Sequence, residues 1–245
     1  MIDIYKSFDD YVSDYDMNNE KIKLKYNHSF RVMNLSEKYA KILGFNEEDI
    51  YLAKIIGLLH DIGRFEQLKR YDTFNDLKSI DHADFGVKLL FEDNLIKNFY
   101  DKEEDYEIIK FAIENHNKKD LPVIDDERFM KHAKLIRDTD KIDIIYLEGK
   151  LKELNIVPTD EEITDEVLKA IYNHECVDRR YVKNTNDGLI NNFSYVFDIN
   201  YNECLEEIKD NYKYYYERFS VNNTFTDVYN EIIKYIDERI DKNVR

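Results

Sequence analysis

The sequence predicts an all-α fold on three observations. Apolar residues recur at three- and four-residue spacing along almost all of the 245 residues, the pattern of amphipathic helices. Six glycines and two prolines are about a quarter of the usual combined share, too few for the tight reversals and positive φ angles that strand-rich architectures use. Apolar residues form 43% of the chain, enough for a sizeable core. Composition therefore argues against an all-β sandwich and against a Rossmann fold.

The periodicity places helices at about 3–16, 20–43, 47–61, 82–93, 103–116, 126–149, 164–177, 188–216 and 224–242. In the second, His28 shares a face with Leu24, Val32 and Leu35, and Gly44 fits its end. Asn46 offers a cap to the third, ahead of Glu47, Glu48 and Asp49, and His60 follows Ala53, Ile56 and Gly57 on its inward stripe. Gly63 fits a helix end, and 70–80 reads as a loop. Asp81 caps the helix that His82 opens, with Gly86 and Leu89 on the same face. His116 closes the helix carrying Ile109, Ala112 and Ile113, and 117–125, containing Pro122, is a second loop. On the long helix that follows, Asp140 lies between Ile136 and Ile144 on an inward stripe. His174 follows Val167, Ala170 and Ile171. No repeat, low-complexity tract or Gly/Ser linker divides the chain, so 1–245 reads as one all-α domain. Residues 151–245, with Tyr212, Tyr214, Tyr215, Tyr216 and Phe219, are expected to form a helical extension packed on the first part.

Charge and cysteine content narrow the partners. The formal net charge of −16 argues against a nucleic-acid groove or an anionic membrane surface. Cys176 and Cys204 stand far apart without C-x-x-C spacing, so the expected setting is reduced and cytoplasmic. The first ten residues carry acids where a signal peptide has basic and apolar regions. No segment approaches the roughly 20 apolar residues of a bilayer span.

A buried ionisable group needs a partner or a metal to offset its desolvation. His28, His60, His82, His116 and Asp140 come from five helices and fall on apolar faces, an arrangement from which bundles build metal sites. Five motifs then occur in order: His28-Ser29-Phe30-Arg31-Val32; Leu58-Leu59-His60-Asp61-Ile62-Gly63-Arg64; Asp81-His82-Ala83-Asp84-Phe85-Gly86; Asn115-His116-Asn117; and Arg137-Asp138-Thr139-Asp140-Lys141. Over about 20–150 this series closely resembles the HD-domain metal-dependent phosphohydrolases. The third motif lacks His-Pro and the chain lacks Gly-Tyr-Pro, so the resemblance does not extend to the HD-GYP cyclic-dinucleotide phosphodiesterases.

The resemblance implies a helical bundle of HD type with His28, His60, Asp61 and Asp140 around one ion. It further implies His82 and His116 at a second, with Asp61 bridging. Imidazole with carboxylate suits Fe, Mn, Co or Zn, whereas Mg favours oxygen alone. The expected reaction is hydrolysis of a small phosphoester or nucleotide by attack of a metal-bridging hydroxide. Arg64 and Lys141 are candidate catalytic groups with Asp61, and Arg31, Arg64, Lys141 and His174 are candidate substrate contacts. Asp138, Asp143, Asp81 and Asp84 are candidates to orient the ligands from outside, and His132 receives no role. Two alternatives stay open: a di-iron oxygenase of the same fold, and a nucleotide-binding regulatory module without turnover.

Overall fold

The computed structural model describes residues 2–152 and 155–243, and among them all regular structure is helical. The chain divides into two compact units, Met1–Thr139 and Asp140–Arg245, and the division falls inside one continuous helix.

The first unit contains α1 (Ile4–Val12), α2 (Glu20–Ile42), α3 (Glu47–Leu59), α4 (Gly63–Tyr71), α5 (His82–Val87), α6 (Tyr106–Asn115) and most of α7 (Glu127–Tyr146). Side-chain caps set the starts where the sequence places them. Asn46 accepts from the Asp49 amide to open α3, and Asp81 accepts from Ala83 and Asp84 to open α5. The stripes of α2 and α3 meet in a core that includes Val32, Met33, Leu52, Ile56 and Leu59, and Ile109, Ile113 and Ile136 join it from α6 and α7. Each such fully buried side chain contributes about 1.5–3 kcal/mol. Gly57 sets the α2–α3 approach: a Cβ there would sit 2.9 Å from both the Met33 Cα and the Val32 carbonyl oxygen.

Two elements differ from expectation. Gly63 opens α4 instead of ending a helix, because its bare Cα lies against α5: a Cβ would stand 2.3 Å from the His82 carbonyl oxygen and 2.7 Å from the Gly86 nitrogen. The 70–80 loop holds a short 3-10 turn, Asp76–Lys78, capped by Asn75.

The second unit comprises the end of α7, a π-helical turn at Leu147–Leu151, α8 (Asp165–Tyr172), α9 (Thr185–Phe193), α10 (Leu205–Phe219) and α11 (Asn223–Asn243). The single helix expected at 188–216 is two. After α9 and a 3-10 turn at Ser194–Asp198, the backbone is extended at Ile199. The Tyr212 hydroxyl donates to the Asn192 and Phe193 carbonyls, satisfying groups that a continuing helix would have bonded itself. Tyr212, Tyr215 and Phe219 are fully buried around Phe193, whereas Tyr214 is exposed. Among the described residues no helix is long and apolar enough to cross a membrane, and Cys176 and Cys204 are free thiols.

Candidate metal centre

Asp61 organises the centre of the first unit. It follows α3, is almost fully buried, and turns its two carboxylate oxygens to two different histidine pairs. Oδ2 lies 3.5 Å from His28 Nε2 and 3.7 Å from His60 Nε2. Oδ1 lies 3.2 Å from His82 Nε2 and 3.8 Å from His116 Nε2. Within each pair the Nε2 atoms face each other, at 3.2 Å for His28 and His60 and 3.1 Å for His82 and His116.

Three of the rings are held by their other nitrogen. His60 Nδ1 donates to the Gly57 carbonyl at 2.8 Å, His116 Nδ1 to the Ile113 carbonyl at 2.7 Å, and His82 Nδ1 to Asp76 Oδ2 at 2.7 Å. A carbonyl or carboxylate only accepts, so these bonds put the proton on Nδ1 and leave the Nε2 lone pair facing the centre. Opposed lone pairs about 3 Å apart repel unless a cation lies between them. Anchored imidazoles that converge on a shared carboxylate are a donor set suited to transition-metal ions. The residues present therefore fit the metal pair that the sequence implies: His60, Asp61 and His116 alone offer three donor atoms within 4.8 Å of one another.

A second close group, Asp76, Asp81 and His82, has a different use. Asp76 Oδ1 accepts from Arg64 at 2.8 Å and from Gln67 at 2.9 Å, and Asp81 accepts from Lys118 at 2.8 Å. These carboxylates already have cationic partners, and the group is a scaffold for His82. Burial works against ionisation of Asp76, but its hydrogen bond and charge interaction with His82, followed by Arg64 and Gln67, hold it well below the usual carboxylate range. For Asp61, burial is likewise outweighed, chiefly by the charge of Lys25 and by the surrounding histidines.

Two residues of this arrangement escape the sequence reading. Lys25 donates to Asp61 Oδ2 at 2.6 Å, and its position one helical turn before His28 was a usable signal. Asp76 stands in a segment without periodicity, and nothing in the sequence sets it apart from its acidic neighbours. Asp76 is the outer partner of His82 Nδ1, while Asp81 and Asp84, general candidates to orient ligands from outside, make other bonds. Asp81 caps α5, and Asp84 pairs with Lys118 at 2.7 Å.

The remaining candidates are dispersed. Arg64 Nε lies 3.5 Å from Asp61 Oδ1, while its Nη1 is tied to Gln67, the Phe74 carbonyl and Asp76. Arg31 is half-buried on α2, three residues after His28, and Asp138 is fully buried on α7. Asp140 and Lys141 stand on the part of α7 that belongs to the second unit, where Lys141 pairs with Asp198 at 2.6 Å and Asp143 is buried. His174 does not lie on an apolar helix face. The helix α8 ends at Tyr172, and His174 takes a left-handed φ of 58° just beyond it. Its ring stacks on Phe197, and its Nε2 lies 2.8 Å from Glu231.

An all-α unit whose buried histidines converge on one carboxylate has the donor set of a helical metal-binding domain. Residues 26–145 match the family model for the HD domain, and this part of the chain belongs to that family. The family consists mostly of metal-dependent phosphohydrolases. No curated protein and no solved structure gives a significant match.

Proposed function

We propose that the protein is a dinuclear metal-dependent phosphohydrolase acting on a small phosphoester or nucleotide. The observation that carries this reading is the division of labour at Asp61, whose two oxygens each face a separate histidine pair. His28 and His60 would hold one divalent transition-metal ion and His82 and His116 the other, with Asp61 shared between them. Asp140, which the resemblance assigns to the first ion, stands at the start of the second unit, and its contribution is part of this proposal. When bound, such a pair acidifies a water and neutralises phosphoryl oxygens.

The chain's own residues do the rest. The Nδ1 anchors of His60, His82 and His116 keep their Nε2 atoms aimed at the centre, and low exposure around Asp61 strengthens every charge interaction there. Arg64 is already fixed beside Asp61, where its guanidinium can meet an anionic substrate. Lys141 and His174, assigned to substrate by the sequence reading, stand in the second unit, and a contribution from them is part of this proposal.

Metal analysis of the purified protein, coupled to a screen of phosphomonoesters and nucleotides with Mn and with Fe under anaerobic conditions, tests the reading. Two ions per chain and release of phosphate or a dephosphorylated product are expected. A fully loaded protein that hydrolyses no phosphoester overturns it. Substrate-dependent oxygen uptake by the iron form would assign the same donors to a di-iron oxygenase, and nucleotide binding without product would make the domain a regulatory module.

A further inference from the structure

We propose that Lys25 is an anion-binding residue of this centre, released by metal loading to hold the phosphate of the substrate. The inference rests on the dinuclear reading and adds to it a residue that none of the family's motifs in this sequence contains. Lys25 lies on α2 with its side chain only 14% exposed, and its ammonium donates to Asp61 Oδ2 at 2.6 Å. Arg64 stands at the other oxygen, its Nε 3.5 Å from Oδ1. One aromatic ring serves both cations: Lys25 Nζ is 5.6 Å and the Arg64 guanidinium carbon 5.7 Å from the centre of Phe74. Two cations thus flank one buried carboxylate, one at each oxygen, against a shared apolar face.

The oxygen that Lys25 occupies is also the one that faces His28 and His60. An ammonium and a divalent ion therefore compete for the same electron pairs. Once divalent ions take both oxygens of Asp61, the attraction that holds Lys25 is replaced by repulsion between like charges at short range, where low dielectric magnifies both. The ammonium then needs a new anion. It sits on a flexible four-carbon stem and can turn from Asp61, while the Phe74 face continues to favour a cation.

Arg64 has no such freedom, because its Nη1 makes three hydrogen bonds to Gln67, the Phe74 carbonyl and Asp76. Its buried Nε has no hydrogen-bond partner among the described residues. A fixed guanidinium whose Nε is not engaged in a hydrogen bond and a movable ammonium together fit a terminal phosphate, which carries up to two charges and three acceptor oxygens. They fit a neutral or internal ester poorly. The substrate class is accordingly a phosphomonoester, with Lys25 setting the preference for the dianionic group.

The test uses the full chain with Lys25→Gln and Lys25→Arg, reading Mn content and the affinity for inorganic phosphate by calorimetry. Wild type loaded with two Mn ions should bind phosphate at least tenfold more tightly than the metal-free protein. Lys25→Gln should keep both ions while its phosphate Kd weakens by about tenfold or more, the loss expected for one charge-assisted hydrogen bond. Lys25→Arg should stay within about threefold of wild type, because the charge is retained. If Lys25→Gln, with both ions bound, holds phosphate as tightly as wild type, the assignment is wrong and the metal reading stands. If Lys25→Gln loses its metal, Lys25 is a prop for the centre and the assignment is again wrong. A wild-type protein that takes up no divalent ion removes both readings together.

Discussion

His82 donates its Nδ1 proton to Oδ2 of Asp76 at 2.7 Å, so a residue from the 3-10 turn before α5 sets the direction of the imidazole that opens α5. The same carboxylate gathers Arg64 and Gln67 on its other oxygen, which ties the turn to α4. Replacing Asp76 by Asn keeps the shape and removes the charge that fixes the His82 tautomer. Outer partners of metal-bound histidines are typically worth about 10–100-fold in affinity. Asp76→Asn should therefore weaken one of the two bound ions by about that factor and leave the other near wild type. Competitive titration with a metal-sensitive dye resolves the two steps, and two unchanged steps would remove Asp76 from the centre.

Gly63 gives a second route to the same histidine. A Cβ at this position meets backbone atoms of α5, the His82 carbonyl oxygen at 2.3 Å and the Gly86 nitrogen at 2.7 Å, and neither can rotate away as a side chain would. Gly63→Ala should push α5 outward and cost about 1–3 kcal/mol or more, the usual range for overpacking. Because His82 opens α5, the second ion should be lost along with stability. Urea denaturation and metal content measured on one sample give both numbers. A variant of wild-type stability that holds two ions would contradict the close approach.

The stoichiometry of ligand variants tests the shared carboxylate directly. Asp61 faces all four histidines, whereas His82 makes its contact with Oδ1 alone. His82→Ala should retain about one ion per chain, while Asp61→Asn should fall below one, since the lost charge weakens both sites. Elemental analysis after gel filtration reads the contrast. Equal losses in the two variants would be evidence against a bridging role.

How much of this was legible in the sequence depended on periodicity. The α2 and α3 stripes, the caps at Asn46 and Asp81, and the inward placement of His28, His60, His82 and His116 follow from helical spacing, because a polar residue on an apolar face has only the interior to point to, whereas Asp61 came from the resemblance. Asp76 was hidden for the complementary reason: a turn has no face, and its direction is set by tertiary hydrogen bonds from Gln67 and Arg64. Lys25 was passed over because of its type, since lysines at helix spacing are ordinarily solvated, although its place one turn before His28 was a usable signal for the contact with Asp61. His174 erred in the opposite direction. Apolar spacing was extended past Tyr172, where the chain turns through a left-handed residue and the periodicity no longer applies.

His132, given no role by its sequence neighbours, supports a pH prediction. It is buried on α7, with Nε2 3.1 Å from Asp49 Oδ1, and Asp49 also accepts from Arg128 at 2.7 Å and Lys131 at 2.5 Å. Burial pushes the imidazole down from 6.5 to about 4, against the pull of Asp49. Between these values the unfolded chain binds a proton that the folded chain refuses. Stability from the buried neutral ring is thus complete above pH 6.5 and is lost as the pH falls toward 4. The slope in that window should approach, at most, about 1.4 kcal/mol per pH unit. Asp49 adds its own loss only lower, because burial is outweighed there by Lys131, Arg128 and His132, which hold its carboxyl well below 3.8. His132→Gln can keep an amide donor toward Asp49 without a titrating ring. Urea unfolding at pH 7 and pH 5 should show wild type weakening and the variant changing less, and equal losses in both would place the acid sensitivity elsewhere in the chain.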